Sequence, residues 1–220
     1  MFRSWVVAAV VEAAVVLAAV VTGACTSAHR HTAAPTSHTS SSLMTTAITP
    51  SAVWGTADVP SGGSIAVSPV DGHVTVGYSS TTPAGPAVVS FGPLSVSSAC
   101  IVRAVLRVTL SAPPSTRPVA AYPVDPRYGA LGPGEWIEGW TLLLDNRPRG
   151  AFAFAGAEGE ADVTDLVKTF VKGGPFPSQG KTVPAGSAMV LSVQPQDLMS
   201  PATFDLRTDV PPSLSVSRSC

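Results

Sequence analysis

An all-β sandwich with one short helix is the fold the sequence predicts, and three observations predict it. After Pro50 the chain becomes a series of short apolar runs separated by Gly, Pro, Asp and Ser, the texture of many short strands. Within that series, Cys100–Leu110 alternates with a strict period of two. Only one stretch, 162–174, repeats its apolar residues at helical spacing.

The elements follow in order. Ile65–Tyr78 reads as a hairpin: Asp71-Gly72 supplies the positive φ angles of a tight turn, and Val74, Val76 and Tyr78 alternate beyond it. Pro69 makes its first arm an edge strand or a bulge. A strand over Ala87–Phe91 leads into Cys100–Leu110. There Val102, Ala104, Leu106, Val108 and Leu110 point to the core, and Arg103, Arg107 and Thr109 point to solvent. Further strands are expected at 119–124, 140–144, 151–154, 189–193 and 213–218. The helix carries Val163, Leu166, Val167, Phe170 and Val171 as one stripe, with Asp162 or Thr164 to cap its start and Gly173 to end it. That stripe should lie against an open end or flank of the sandwich.

Ahead of this domain, residues 1–24 have another character. Arg3 is followed by the apolar stretch Trp5–Val21 and the small residues Thr22-Gly23-Ala24, and then Cys25. The pattern resembles a bacterial lipobox, which implies a diacylglyceryl group on the Cys25 thiol and cleavage just before it. Small residues leave the backbone open to a peptidase while the apolar run partitions into the bilayer. Glu12 interrupts the run at a cost of roughly 2 to 3 kcal/mol at bilayer depth. Two other readings are an ordinary secretory signal cut elsewhere and an uncleaved anchor of about 17 residues, near the lower limit for a span. All three put the body of the protein outside the cytoplasm, held at the cell membrane in the first and third.

Residues 25–50 read as a flexible tether. Between Thr26 and Pro50, 12 of 25 residues are Ser or Thr and large apolar side chains are scarce, so too little surface can be buried to offset the entropy of ordering. The pair His29 and His31 lacks carboxylate or cysteine partners for a metal. Residues 51–220 then form a single domain large enough for a sizeable core.

A net charge of -1 with 12% charged residues offers no basic patch, which excludes nucleic acid as a partner. Once Cys25 is lipidated, Cys100 and Cys220 remain. Strand parity turns Cys100 the same way as Val102 and Leu106, and Cys220 the same way as Leu214 and Val216. If their strands are neighbours, an oxidising compartment favours a disulfide, the alternative being a buried Cys100 and a dangling Cys220.

Four pieces occur in a set order. Val88-Val-Ser-Phe91 precedes Val96–Val108; Trp136-Ile-Glu-Gly-Trp-Thr141 follows; then Asp162-Val-Thr-Asp-Leu-Val167; then Pro212-Ser-Leu-Ser-Val216. Over most of residues 52–220 this order resembles the DNRLRE-type domains related to a carbohydrate-binding module, with Leu142 where a second tryptophan is usual. The resemblance implies a jelly-roll β-sandwich in an exported bacterial protein. It implies less about a ligand, since only some members bind sugar and a fold does not carry a function. In this light Asp162 and Thr164 are helix caps, and Trp136 and Trp140 are core or rim fillers.

A sugar site needs flat aromatic faces and planar hydrogen-bonding groups. Only 122–149 offers both, and Arg127, Tyr128 and Trp136 are its candidate contacts. The competing class is an enzyme. The motifs G-x-S-x-G, HExxH and CxxC are absent, and His73 is the only histidine inside the domain. A glycosidase needs just two carboxylates, for which Glu135 with Glu138 or Glu158 with Glu160 have the right type. No cofactor is called for; a structural calcium suits a sandwich, but no Asp-rich loop demands one. The expectation is a non-catalytic envelope lipoprotein whose partners are the membrane, through its lipid, and a polysaccharide or an envelope protein.

Overall fold

A computed structural model describes residues 42–58, 64–68, 70–78, 85–114, 118–138, 142–176, 180–196 and 202–220. The signal run with Cys25, most of the tether, Pro69, Trp140 and Thr141 lie outside them. From Ser40 to Cys220 the chain forms one compact unit.

The unit is an all-β sandwich. Its strands are β1 (Met44–Ile48), β2 (Ala52–Asp58), β3 (Ser64–Ser68), β4 (His73–Tyr78), β5 (Ala87–Phe91), β6 (Ile101–Thr109), β7 (Val119–Pro123) and β8 (Trp136–Glu138). They continue with β9 (Gly150–Ala155), β10 (Glu158–Asp162), β11 (Gly174–Phe176), β12 (Lys181–Val183), β13 (Met189–Pro195), β14 (Ala202–Arg207) and β15 (Ser213–Arg218). The helix α1 covers Thr164–Lys172.

One antiparallel ladder runs β1-β15-β6-β10-β9-β7-β13-β5-β2-β3-β8. It turns over where β9 meets β7 through only Ala120–Ala151 and Ala121–Gly150, so its two ends become the two layers. Between them lie Ala104, Leu106 and Val108 of β6 and Leu214 and Val216 of β15, opposite Val89 and Phe91 of β5 and Met189, Leu191 and Val193 of β13. The pair β4–β14 adds Val74, Val76 and Leu206 to the same core.

Strands β5, β7 and β13 are buried on both faces. Their second face meets a smaller cluster of Trp54, Val67, Val88, Val124, Ile137, Leu142 and Val190. The indole nitrogen of Trp54 is buried there with no hydrogen-bond partner among the described residues.

Four expectations are corrected. First, Ile65–Tyr78 is not a hairpin: β3 pairs with β2 and β8, while β4 pairs with β14. Gly72, at φ 71°, turns the chain from one pairing to the other, and its carbonyl accepts from the Thr208 N–H at 2.9 Å. Second, Val102 is 54% exposed and Ile101 is buried in its place. The register jumps from Arg103–Ser217 to Ile101–Arg218, a bulge that reverses the parity of the first residues of β6. Third, Leu142–Leu144 forms no strand; Leu143 makes only an isolated bridge to Val124. Fourth, the last part of the expected tether is structured, since β1 pairs along its whole length with β15.

The helix keeps its expected stripe, with Leu166, Val167 and Phe170 buried and the Phe170 ring 6.0 Å from that of Phe176. Asp162 caps it from outside: its Oδ1 accepts from the Thr164 N–H at 2.9 Å and from the Thr164 hydroxyl at 2.6 Å. These bonds, with Arg103 and Lys168 nearby, hold the Asp162 carboxyl below its ordinary pKa. Cys100 and Cys220 form a disulfide with Cα atoms 5.3 Å apart, within the usual range. It ties the last residue to the start of β6, where Cys100 also accepts from the Ser219 N–H at 3.0 Å.

Candidate functional site

The segment expected to hold the site lies on the second face of the β5–β13 layer. It leaves β7 with the Val124 N–H donating to the Val190 carbonyl at 2.9 Å. Pro126 then starts a 3₁₀ turn over Pro126–Tyr128, because its fixed φ suits the first helical position and Asp125 accepts from the Arg127 N–H at 3.2 Å. Gly129 lets this turn press on the sheet: a Cβ there would sit 2.8 Å from Ser90 Oγ and 3.0 Å from a Val190 methyl.

The turn brings Arg127 and Tyr128 together. The guanidinium carbon lies 4.8 Å from the Tyr128 ring centroid, and Arg127 Nε lies 3.1 Å from Asp125 Oδ2. The inner side of Tyr128 packs on the smaller cluster. The ring is therefore a supported platform with a planar cation stacked on it, and the pair offers both aromatic and hydrogen-bonding surface.

Trp136 stands on a different element. Strand β8 is the outermost strand of the ladder beyond β3, and its alternation sends Ile137 inward, 1% exposed, and Trp136 outward, 61% exposed. The reading of Trp136 as a core or rim filler is overturned, because its neighbour on the strand fills the core. The loop before it is fixed by Glu135, whose Oε2 accepts from the Gly132 N–H at 2.5 Å, and by the Val67 N–H, which donates to the Glu135 carbonyl at 2.9 Å.

Other polar residues of the segment serve the fold. Tyr122 is 3% exposed; burial holds its phenol pKa above the ordinary value against the opposing hydrogen bond from Gln194. Asp145 is fully buried, accepts from the Arg147 N–H at 3.0 Å and pairs with Arg149, whose Nε lies 2.8 Å away. Tyr122 is buried because partners distant in sequence cover both faces of β7, whereas Asp145 pairs locally with Arg149.

The carboxylate pairs considered for catalysis are placed in part. Glu158 and Glu160 do share the exposed face of β10, but Glu160 is bound by Arg107 Nε at 2.7 Å. Glu135 is held by its loop, and the Glu138 side chain lies outside the described residues. Among the described residues no three His, Cys, Asp or Glu side chains gather as a metal site would require, and no helix is long and apolar enough to cross a membrane. The chain matches no family model and no curated protein.

Proposed function

We propose that the chain is a cell-envelope lipoprotein, anchored by a lipid on Cys25 and facing outside the cytoplasm, whose sandwich is a non-catalytic carbohydrate-binding module. The observation that carries this reading is the exposed indole of Trp136 on an edge strand braced from behind by Ile137. An aromatic plane fixed to a sheet and open to solvent is the surface on which the C–H face of a sugar ring stacks. Arg127 on Tyr128 provides planar donors on the Pro126–Tyr128 turn, a geometry that suits paired hydroxyls. The order of segments shared with the DNRLRE-type domains supports the same reading, as does the use of Asp145 and Glu160 as ion-pair partners of Arg149 and Arg107.

A protein partner is the second reading, favoured by the exposed apolar Leu43 and Met44 at the other end of the ladder. Affinity electrophoresis of the intact protein through a panel of bacterial and plant polysaccharides separates the two. Retardation by at least one polysaccharide supports the module, and free migration through all of them favours the protein partner. The anchor has its own test: the mass of the mature chain should include a diacylglyceryl group, and Cys25→Ser should release the protein from the membrane fraction.

A further inference from the structure

At the β1 edge of the ladder a groove of about 230 Å³ lies between β1, β15 and the segment 93–96. Its walls are Ile48, Pro93, Leu94, Val96 and Val216. Ile48, Leu94 and Val96 also pack on the main core, so the walls are held in place from behind. Arg218 lies at the rim, on the same face of β15 as Val216. Arg103, Arg107, Arg127, Arg149 and Arg207 each have a carboxylate within 4.0 Å. The Arg218 guanidinium has no hydrogen bond or ion pair among the described residues. Met44, paired with Arg218 across the ladder and therefore on the same face, is 56% exposed and carries the apolar line past the cation.

An apolar slot with a cation at its mouth fits an amphipathic anion. Its volume is below the 300 to 1,000 Å³ or so of pockets that take drug-sized ligands, which suits a small amphiphile. We propose that this groove binds a medium-length straight-chain fatty acid, with the carboxylate on Arg218 and the chain along Ile48, Leu94 and Val96. Guanidinium and carboxylate are planar and pair through two parallel hydrogen bonds, while the chain removes apolar wall from water. This site lies on β1 and β15, elements that contribute nothing to the Trp136 surface, and stands or falls separately from it.

Equilibrium dialysis of the intact protein against radiolabelled decanoate tests the assignment. Thr46 lines the groove from the exposed edge strand, so Thr46→Trp fills the mouth without entering the core; Leu94→Lys blocks it from the segment 93–96. Whichever of the two melts like the unaltered protein serves as the blocked reference. Saturable binding is expected in the unaltered protein, weakened at least tenfold in the blocked variant, in Arg218→Gln, and when decanol replaces decanoate. Equal retention of decanoate by the unaltered and blocked proteins would overturn the proposal, as would decanol bound as tightly as decanoate.

Discussion

Thr164 accepts a hydrogen bond through its side-chain oxygen from the backbone N–H of Ala104 at 2.8 Å, while the Ala104 carbonyl accepts from the Val163 N–H at 2.9 Å. Strand β10 ends at Asp162, and the first residues of the helix continue its pairing with β6 by one more step. A threonine hydroxyl thus stands in for a ladder carbonyl. Thr164→Val keeps the shape and removes this acceptor, leaving a buried N–H of β6 unpaired. Urea unfolding should show a loss of about 1 to 3 kcal/mol, and a loss below a few tenths would mean the bond contributes little.

The same hydroxyl donates to Asp162, and this links the helix start to pH. The folded-state pKa of Asp162 lies below its ordinary value, chiefly through the two bonds from Thr164. A carboxyl depressed on folding stabilises the protein above its unfolded pKa of about 3.9 and loses that contribution as pH falls through the folded value. The stability advantage of the unaltered protein over Asp162→Asn should therefore be level near neutrality and shrink below about pH 4. The carboxyl is largely exposed, so the effect is small and needs paired melts; an advantage that grows on acidification would contradict the assignment.

The bulge at the start of β6 makes neighbouring apolar residues unequal. Ile101→Ala should cost about 2 to 4 kcal/mol, because it empties a buried position, whereas Val102→Thr should stay within about 0.5 kcal/mol. Thermal melts of the two variants check the register directly. Equal costs would restore the simple alternation through Val102.

Simple alternation shows how far this sequence can be read. Continuous apolar runs located β5, β7 and β13, and alternation located β15, nearly to their ends, because both signals are local. Alternation failed at Val102, where the extra residue is set by pairing with β15, and at Asp71-Gly72, where a turn signal serves a crossing between pairings. Strand β1 escaped notice because Met44–Ala47 stay exposed and the strand is held mainly by its ladder with β15. In the candidate site, the 3₁₀ turn that joins Arg127 to Tyr128 follows from Asp125-Pro126. Which residues face outward did not follow: Trp54 and Trp136 look alike in sequence, and only the second face of the β5–β13 layer, a feature of the whole fold, buries the one and leaves the other in solvent.

The disulfide closes 120 residues of chain, from the start of β6 to the last residue. In the chain-entropy description a loop of this size stabilises by roughly 4 to 5 kcal/mol. Reduction, or the Cys100→Ser/Cys220→Ser double variant, should lower Tm by about 10 to 15 °C, on the 2 to 4 °C per kcal/mol of a domain this large. A fall of only a degree or two would show that the strand pairing of β15 alone sets the constraint.

Trp136 decides the account. Its affinity for the polysaccharide that most retards the intact protein should be measured by titration calorimetry beside Trp136→Ala and Trp136→Phe. Because Trp136 projects from an edge strand into solvent, both variants should fold and melt as the unaltered protein does. The account predicts that Trp136→Ala weakens binding by at least about tenfold, or 1.4 kcal/mol, and that Trp136→Phe, which keeps a stacking face, recovers part of the loss. Undiminished affinity in a folded Trp136→Ala protein would contradict it.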